Sequence, residues 1–282
     1  MLAALTDPFA LGFMRRALAG CLALSVAAPP LGVFLVLRRM SLMSDVLQHG
    51  VLPGLALGAI LAGLSVWAMG LGGLIAALAV AVLAGWLARR TGGREDSQLA
   101  GMYLIALAAG VALISTQRSV DLTHILFGNV LAVDRQALLG MAGVATLTLP
   151  TMALIWRPLV LECLDPGFTA ATTPLGALWH LLFLALVALC VVSGFVALGT
   201  LMSVGLMMLP AIAARHWSDS LAGHVRVAVL IACASSIGGL VLSFHADIPA
   251  GPAVVLTAGA FWVLGLLAGR RASLWRQAIS LS

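Results

Sequence analysis

Runs of about twenty apolar residues recur along this chain with only short polar intervals between them, which is the length an α-helix needs to cross a bilayer. Hydrocarbon offers no partner for backbone N–H and C=O groups, so a spanning segment must be a helix or part of a closed barrel. These runs are continuous rather than alternating, which selects the helix. They cover residues 17–37, 66–88, 99–115, 137–156, 178–198 and 221–243, with a last one ending before Arg270. The segment from Arg38 to Leu61 and a shorter run at 199–215 complete the set, so the expected fold is all-α, a polytopic integral membrane protein of about 8–9 transmembrane helices. With 62% hydrophobic and 9% charged residues, no interval is long and polar enough for a soluble domain. One transmembrane domain over 1–282 is expected.

All fifteen basic residues are arginine. Without lysine the chain cannot build a P-loop, whose lysine reaches the nucleotide phosphates, or form a Schiff base. The net charge of +5 follows from arginine collecting in cytoplasmic loops and is no sign of nucleic-acid binding. Cys21, Cys163, Cys190 and Cys233 have no metal-ligand spacing and read as small buried side chains. The first residues lack the small-residue cleavage site of a signal peptide. A hydrolase is disfavoured, because Ser65 and Ser193 lie in no nucleophile motif.

The polar residues inside the spans carry the functional signal. In RRMSLMSDVLQHGVLPGLALGAIL, Asp45 and His49 are four apart and share one helical face. Gly50, Gly54 and Gly58 repeat on the neighbouring face, where another backbone could approach. Charged groups in hydrocarbon cost about 2.5–3.5 kcal/mol each, so the pair calls for a pore, a partner or a ligand. A divalent cation would satisfy both groups; equally, Asp45 could sit at the aqueous boundary while His49 bonds a carbonyl. Asp121, His124, Asn129 and Asp134 punctuate what reads as an amphipathic interfacial piece. The interval 157–177 holds Arg157, Glu162 and Asp165 among three prolines, together with Leu159, Val160, Leu161, Leu164 and Phe168, and reads as a short helix that either docks on another protein or lies on the bilayer surface. The run at 199–215, with Pro210 inside it, resembles the broken helices that line translocation paths. His245 and Asp247 precede the last span. Placing the arginine-rich 88–98 loop, the 157–177 interval and the C-terminus in the cytoplasm requires 199–215 to cross and the N-terminus to lie outside.

Four ordered blocks, RRMSLMSDVLQHGVLPGLALG, DLTHILFGNVLAVD, LMSVGLMMLPAIAAR and DIPAGPAVVL, resemble the permease subunits of zinc/manganese-type metal-ion ABC importers over residues 12–268. The resemblance implies two permease copies around a pore, a separate ABC ATPase subunit beneath each, and an extracytoplasmic metal-binding protein above. It places the chain in the bacterial plasma (inner) membrane, in contact with lipid. The ATPase activity would reside on the partner subunit, so the chain itself would not be an enzyme. Asp45 and His49 match the metal-contacting pair; Asp247 is a candidate second contact, and His245 and His124 are weaker ones. The cytoplasmic ATPase-docking segment corresponds to 157–177, with Leu161, Glu162, Leu164, Asp165, Pro166 and Phe168 as its candidate contacts. Family members usually carry Phe where Leu164 stands, so this chain departs from the family pattern at that position.

No permanently bound cofactor is implied; the metal is cargo. Asp plus His suits zinc, manganese or iron(II), and the affinity order of divalent ions favours zinc. The alternative class is an ion-coupled secondary transporter with Asp45 and Asp247 carrying protons.

Overall fold

The structure, a computed structural model, describes residues 7–41, 43–63, 65–91, 95–115, 133–164 and 176–269. Those residues form ten α-helices after a short 3-10 turn at Asp7–Ala10, and no strand. In chain order they are α1 (Gly12–Leu37), α2 (Met43–Gly50), α3 (Leu52–Ala62), α4 (Val66–Thr91), α5 (Glu95–Ser115), α6 (Arg135–Leu164), α7 (Gly176–Leu198), α8 (Thr200–Ala214), α9 (Leu221–Ala246) and α10 (Ala250–Ala268). Six candidate spans are long and apolar enough to cross a bilayer, α2 and α3 counting together as one, and three shorter apolar stretches lie in α4, α5 and α8. The expected all-α polytopic architecture is what the chain adopts.

α1 is the central post. It packs against α6, α7, α8 and α9, and Phe34, Leu31, Leu35 and Cys21 are wholly buried on it. Gly32 faces the Met207 carbonyl of α8 so closely that any Cβ would collide with it. Pro29 and Pro30 lie inside α1 without ending it, because neighbouring helices can accommodate the backbone groups that proline leaves unpaired.

Three expectations need correction. The Arg38–Leu61 segment is two helices, not one, with the turn at Val51 between them. Pro53 has no N–H, so the i→i−4 bond to the His49 carbonyl cannot form, and the helix restarts there. Second, Leu159–Leu164 is no separate docking helix: α6 runs unbroken through Pro150 and Pro158 for 30 residues. At 1.5 Å per residue that is about 45 Å, well beyond the thickness of a hydrocarbon core, so an end must project from it. Third, Pro210 does not interrupt the short run, which is a continuous 15-residue α8. The break falls instead at Gly199, whose φ of 93° only glycine adopts readily.

The bundle has two distinguishable ends. His224 at the start of α9 places Nε2 2.8 Å from the Ala211 carbonyl near the end of α8, and Gly265 near the end of α10 lies against His216 and Trp217. Gly32 and Val33 near the end of α1 join the same group. At the other end, Phe13 and Met14 of α1 border Asp247 and Ile248. α8 runs towards the end where α1 finishes, over 15 residues.

Candidate functional site

α2 is held by α4, α5, α7 and α8, with Met43, Leu47 and Gln48 buried. Its following partner α3 lies directly on α4: a Cβ on Gly54 would meet the Gly72 carbonyl, and one on Gly58 the Ala68 carbonyl. At Gly50 the nearest atoms are those of the Val80 side chain, at ordinary contact distance. The glycine repeat thus does what its spacing suggested at two of its three positions.

Asp45 and His49 come together as their spacing requires. His49 Nε2 lies 3.6 Å from Asp45 Oδ1, too far for a hydrogen bond. Neither group is spent on the other. The Asp45 side chain is 54% exposed and His49 23%, so the carboxylate opens outward from the bundle while the imidazole is held inside it. The His49 ring meets Tyr103 of α5 edge-on, with centroids 5.2 Å apart. His49 Nδ1 and Gln48 Oε1 are buried without a hydrogen-bond partner. With the His49 carbonyl deprived of its helical donor by Pro53, unused donors and acceptors gather on one turn. A buried polar atom left unpaired costs about 1–3 kcal/mol, so such a cluster is expected where a ligand or a second protein surface completes it.

The described residues hold no group of three or more His, Cys, Asp or Glu able to enclose a metal. Asp45 and His49 bring two such side chains together within the described part of the chain. Asp247 does not join them. It caps α9 with φ 51° and ψ 34°, a left-handed conformation that Asp tolerates better than most residues, and it borders the start of α1, whereas Asp45 follows that helix's end. His245 is exposed, with Nδ1 2.9 Å from the Val241 carbonyl of its own helix. His124, Asp165, Pro166 and Phe168 lie outside the described residues, as do Asp121 and Asn129. Asp134 has a structural use not read from the sequence: its carboxylate accepts from the Ala137 N–H at 2.7 Å and caps α6. Leu161 and Leu164 are exposed on the last turns of α6.

Glu162 is engaged instead. Arg38 Nη2 donates to its Oε2 at 2.7 Å, and His180 Nδ1 lies 3.0 Å from its Oε1 and 3.2 Å from Arg38 Nη1. Because the guanidinium only donates and the carboxylate only accepts, that nitrogen serves one of them at a time, according to its proton. The Arg38 guanidinium carbon stands 4.6 Å over the Phe183 ring. Phe183 and Trp156 both meet Phe34 edge-on, at 6.4 and 5.2 Å between centroids. Sequence reasoning missed this cluster, because Arg38 beside Arg39 at a helix end reads simply as a cytoplasmic flank.

Residues 10–269 match the family model described as the ABC 3 transport family. The chain belongs to that family. Family relatives include ScaB of Streptococcus parasanguinis, a manganese import system permease protein, 32% identical over 253 residues that make up 89% of each chain. YfeD of Yersinia pestis, a chelated iron transport system membrane protein, is 30% identical over 93% of this chain and 88% of that one. Among solved structures, PsaBC from Streptococcus pneumoniae in complex with Fab shares the fold with a TM-score of 0.86 at 26% identity, covering 99% of this chain and all of the other. As an ABC 3 family permease the protein is a multi-pass component of the bacterial inner membrane, and the resemblance carried by the four sequence blocks holds over essentially the span expected of it.

Proposed function

We propose that this ABC 3 family chain is the membrane-spanning subunit of an ATP-driven importer of a divalent transition-metal ion, with Asp45 and His49 as the transit contacts. The observation that carries the reading is the half-site itself: a carboxylate and an imidazole on one helical face, 3.6 Å apart and not hydrogen-bonded to each other. Two ligands bind a dication weakly, which suits a pore that must release what it receives. A second permease copy, related by a twofold axis, would supply the same two groups and make four ligands across the axis; the 54% exposure of Asp45 leaves room for that approach. A homodimer is the simplest such assembly.

In this scheme hydrolysis belongs to a separate ATPase, consistent with a chain that has no lysine for a P-loop. An extracytoplasmic binding protein supplies the ion at the Asp247 end. Asp247 is the proposed second contact there, with His245 and His124 as weaker ones. Residues 157–177 serve as the ATPase-docking segment of a single permease domain, and exposed Leu161 and Leu164 are suited to that contact. The cargo we propose is manganese or iron(II), the metals named for the relatives, instead of the zinc favoured by affinity order alone. Selection can depend on the delivering protein and on metal supply more than on the affinity of the pore. Nothing in the structure favours the proton-coupled alternative.

The test is uptake of radioactive manganese, iron(II) and zinc into proteoliposomes holding the permease with its ATPase and binding protein. ATP-dependent uptake of manganese or iron by the native chain, abolished in Asp45→Ala and His49→Ala while the complex still assembles, is the expected result. Normal uptake by both variants would exclude the pair as the transit site, and uptake confined to zinc would overturn the choice of metal.

A further inference from the structure

The Arg38–Glu162–His180 cluster joins three parts of the chain that the importer reading assigns to different tasks. Glu162 is three residues before Asp165, at the end of α6, where the docking segment begins. His180 is four residues after Gly176, on the first turns of α7, where that segment has ended. Arg38 closes α1, seven residues before Asp45, and leads through Arg39 and Met40 into the helix that carries the half-site. One guanidinium therefore touches both stems of the docking segment and is joined by a short connection to the metal helix.

The geometry of this contact is constrained. The Arg38 side chain is only 7% exposed and that of Glu162 19%. Nη2 is used by Glu162, Nη1 lies against His180, and the flat face of the guanidinium rests on Phe183. Arg39 has φ 60°, so the turn leaves α1 through a backbone conformation that non-glycine residues rarely adopt. Its amide still bonds the Val36 carbonyl, and that of Met40 the Leu35 carbonyl. Arg39 and Met40 thus form a hydrogen-bonded turn directly after α1.

We propose that Arg38 is a positioning residue that couples the docking segment to the metal helix: it ties the stems on either side of that segment to the start of α2, so that displacement of the stems by the ATPase moves Asp45 and His49. The inference rests on the importer reading, since it needs an ATPase on that segment and a cargo on α2. A salt bridge needed only for folding would leave the two activities linked. A coupling contact, when broken, separates them.

The experiment uses the full complex in proteoliposomes with Arg38→Gln, Arg38→Lys, Glu162→Gln, His180→Gln and the Arg38→Gln/Glu162→Gln double variant. Three quantities are read: ATPase copurified with the permease, basal ATP hydrolysis, and the stimulation of hydrolysis and of manganese or iron(II) uptake by loaded binding protein. Arg38→Gln is expected to keep copurification and basal hydrolysis within about twofold of native while stimulation and uptake fall about tenfold, the size of a typical coupling between sites; Glu162→Gln, which also lies in the docking segment, is read for the same fall in stimulation and uptake. The double variant is expected to be no worse than the poorer single. Arg38→Lys should recover part of the loss, having the charge without the two-pronged donor. His180→Gln, which spares the ion pair, should give a smaller loss of the same kind. Stimulation and uptake within twofold of native in both single variants would overturn the proposal. So would losses of uptake, basal hydrolysis and copurification in equal proportion, because the cluster would then only hold the fold or the dock. The native complex is the control for the reading beneath: if it shows no metal uptake at all, the importer assignment fails, whereas native uptake with unaffected variants removes only the coupling role.

Discussion

At the scale of the residue, a side chain's helical spacing and its surroundings report different things. The four-residue spacing of Asp45 and His49 was enough to put them on one face, because helical geometry alone decides it. Their surroundings were not legible: that His49 Nδ1 and Gln48 Oε1 are buried without partners depends on α4, α5, α7 and α8 closing around α2. Asp247 shows the reverse case. Its sequence context, before Ile248 and Pro249, suggested a ligand, and the structure adds a backbone reason for the residue, a left-handed cap at the end of α9. Asn tolerates that conformation about as well as Asp but has no charge. Asp247→Asn is therefore expected to melt within about 2 °C of the native protein, a shift that corresponds to about 1 kcal/mol for a chain of this length, while uptake at limiting metal drops several-fold. Thermal unfolding in detergent and initial uptake rates check the two halves separately. Unchanged uptake would leave the residue as a cap and nothing more.

At the scale of the element, prolines set the character of the helices, but proline content alone does not say where a helix stops. Pro29, Pro30, Pro150, Pro158 and Pro210 all sit inside continuous helices, because packed neighbours can compensate for one lost backbone bond. Pro53 instead accompanies a break, directly after the turn that carries Asp45 and His49. This is why the extent of α6 and the split of the Arg38–Leu61 segment could not be read from sequence: the same residue type has opposite outcomes according to what lies beside it. If the break matters for transport, mending it should be harmful without being destabilising. Pro53→Ala returns an N–H to the His49 carbonyl and a residue of high helix propensity to the chain. The variant is expected to unfold at the same temperature as native or higher, and to lose most of its metal uptake. Native uptake in this variant would show that the freed carbonyl and the turn at Val51 play no part in passage.

At the scale of the whole molecule, the two ends of the bundle are chemically unequal, and that inequality fixes a testable orientation. Arg38, Glu162 and His180 meet at one end, where α1 and α6 finish and α7 starts. Arg215 and His216 follow the end of α8, which meets the start of α9 and the end of α10. The other end has Asp247 and His245 beside the beginning of α1. Arginine collects on the cytoplasmic side, so the expected orientation has α1 beginning outside, with Arg15 and Arg16 near its start running against the general tendency. The packing outweighs those two charges, because α1 is the most buried of the candidate spans, at 72%, and its direction is fixed by four neighbouring helices. Residues on opposite ends of α9 give the sharpest check, since a single helix joins them. With Cys21, Cys163, Cys190 and Cys233 replaced, a single cysteine at Ser220 should react with a membrane-impermeant maleimide only after the membrane is opened. One at His245 should react in intact cells stripped of their outer barrier. The opposite pattern would invert the molecule, put Arg38 and the docking stems outside, and remove the physical basis for an ATPase acting on them.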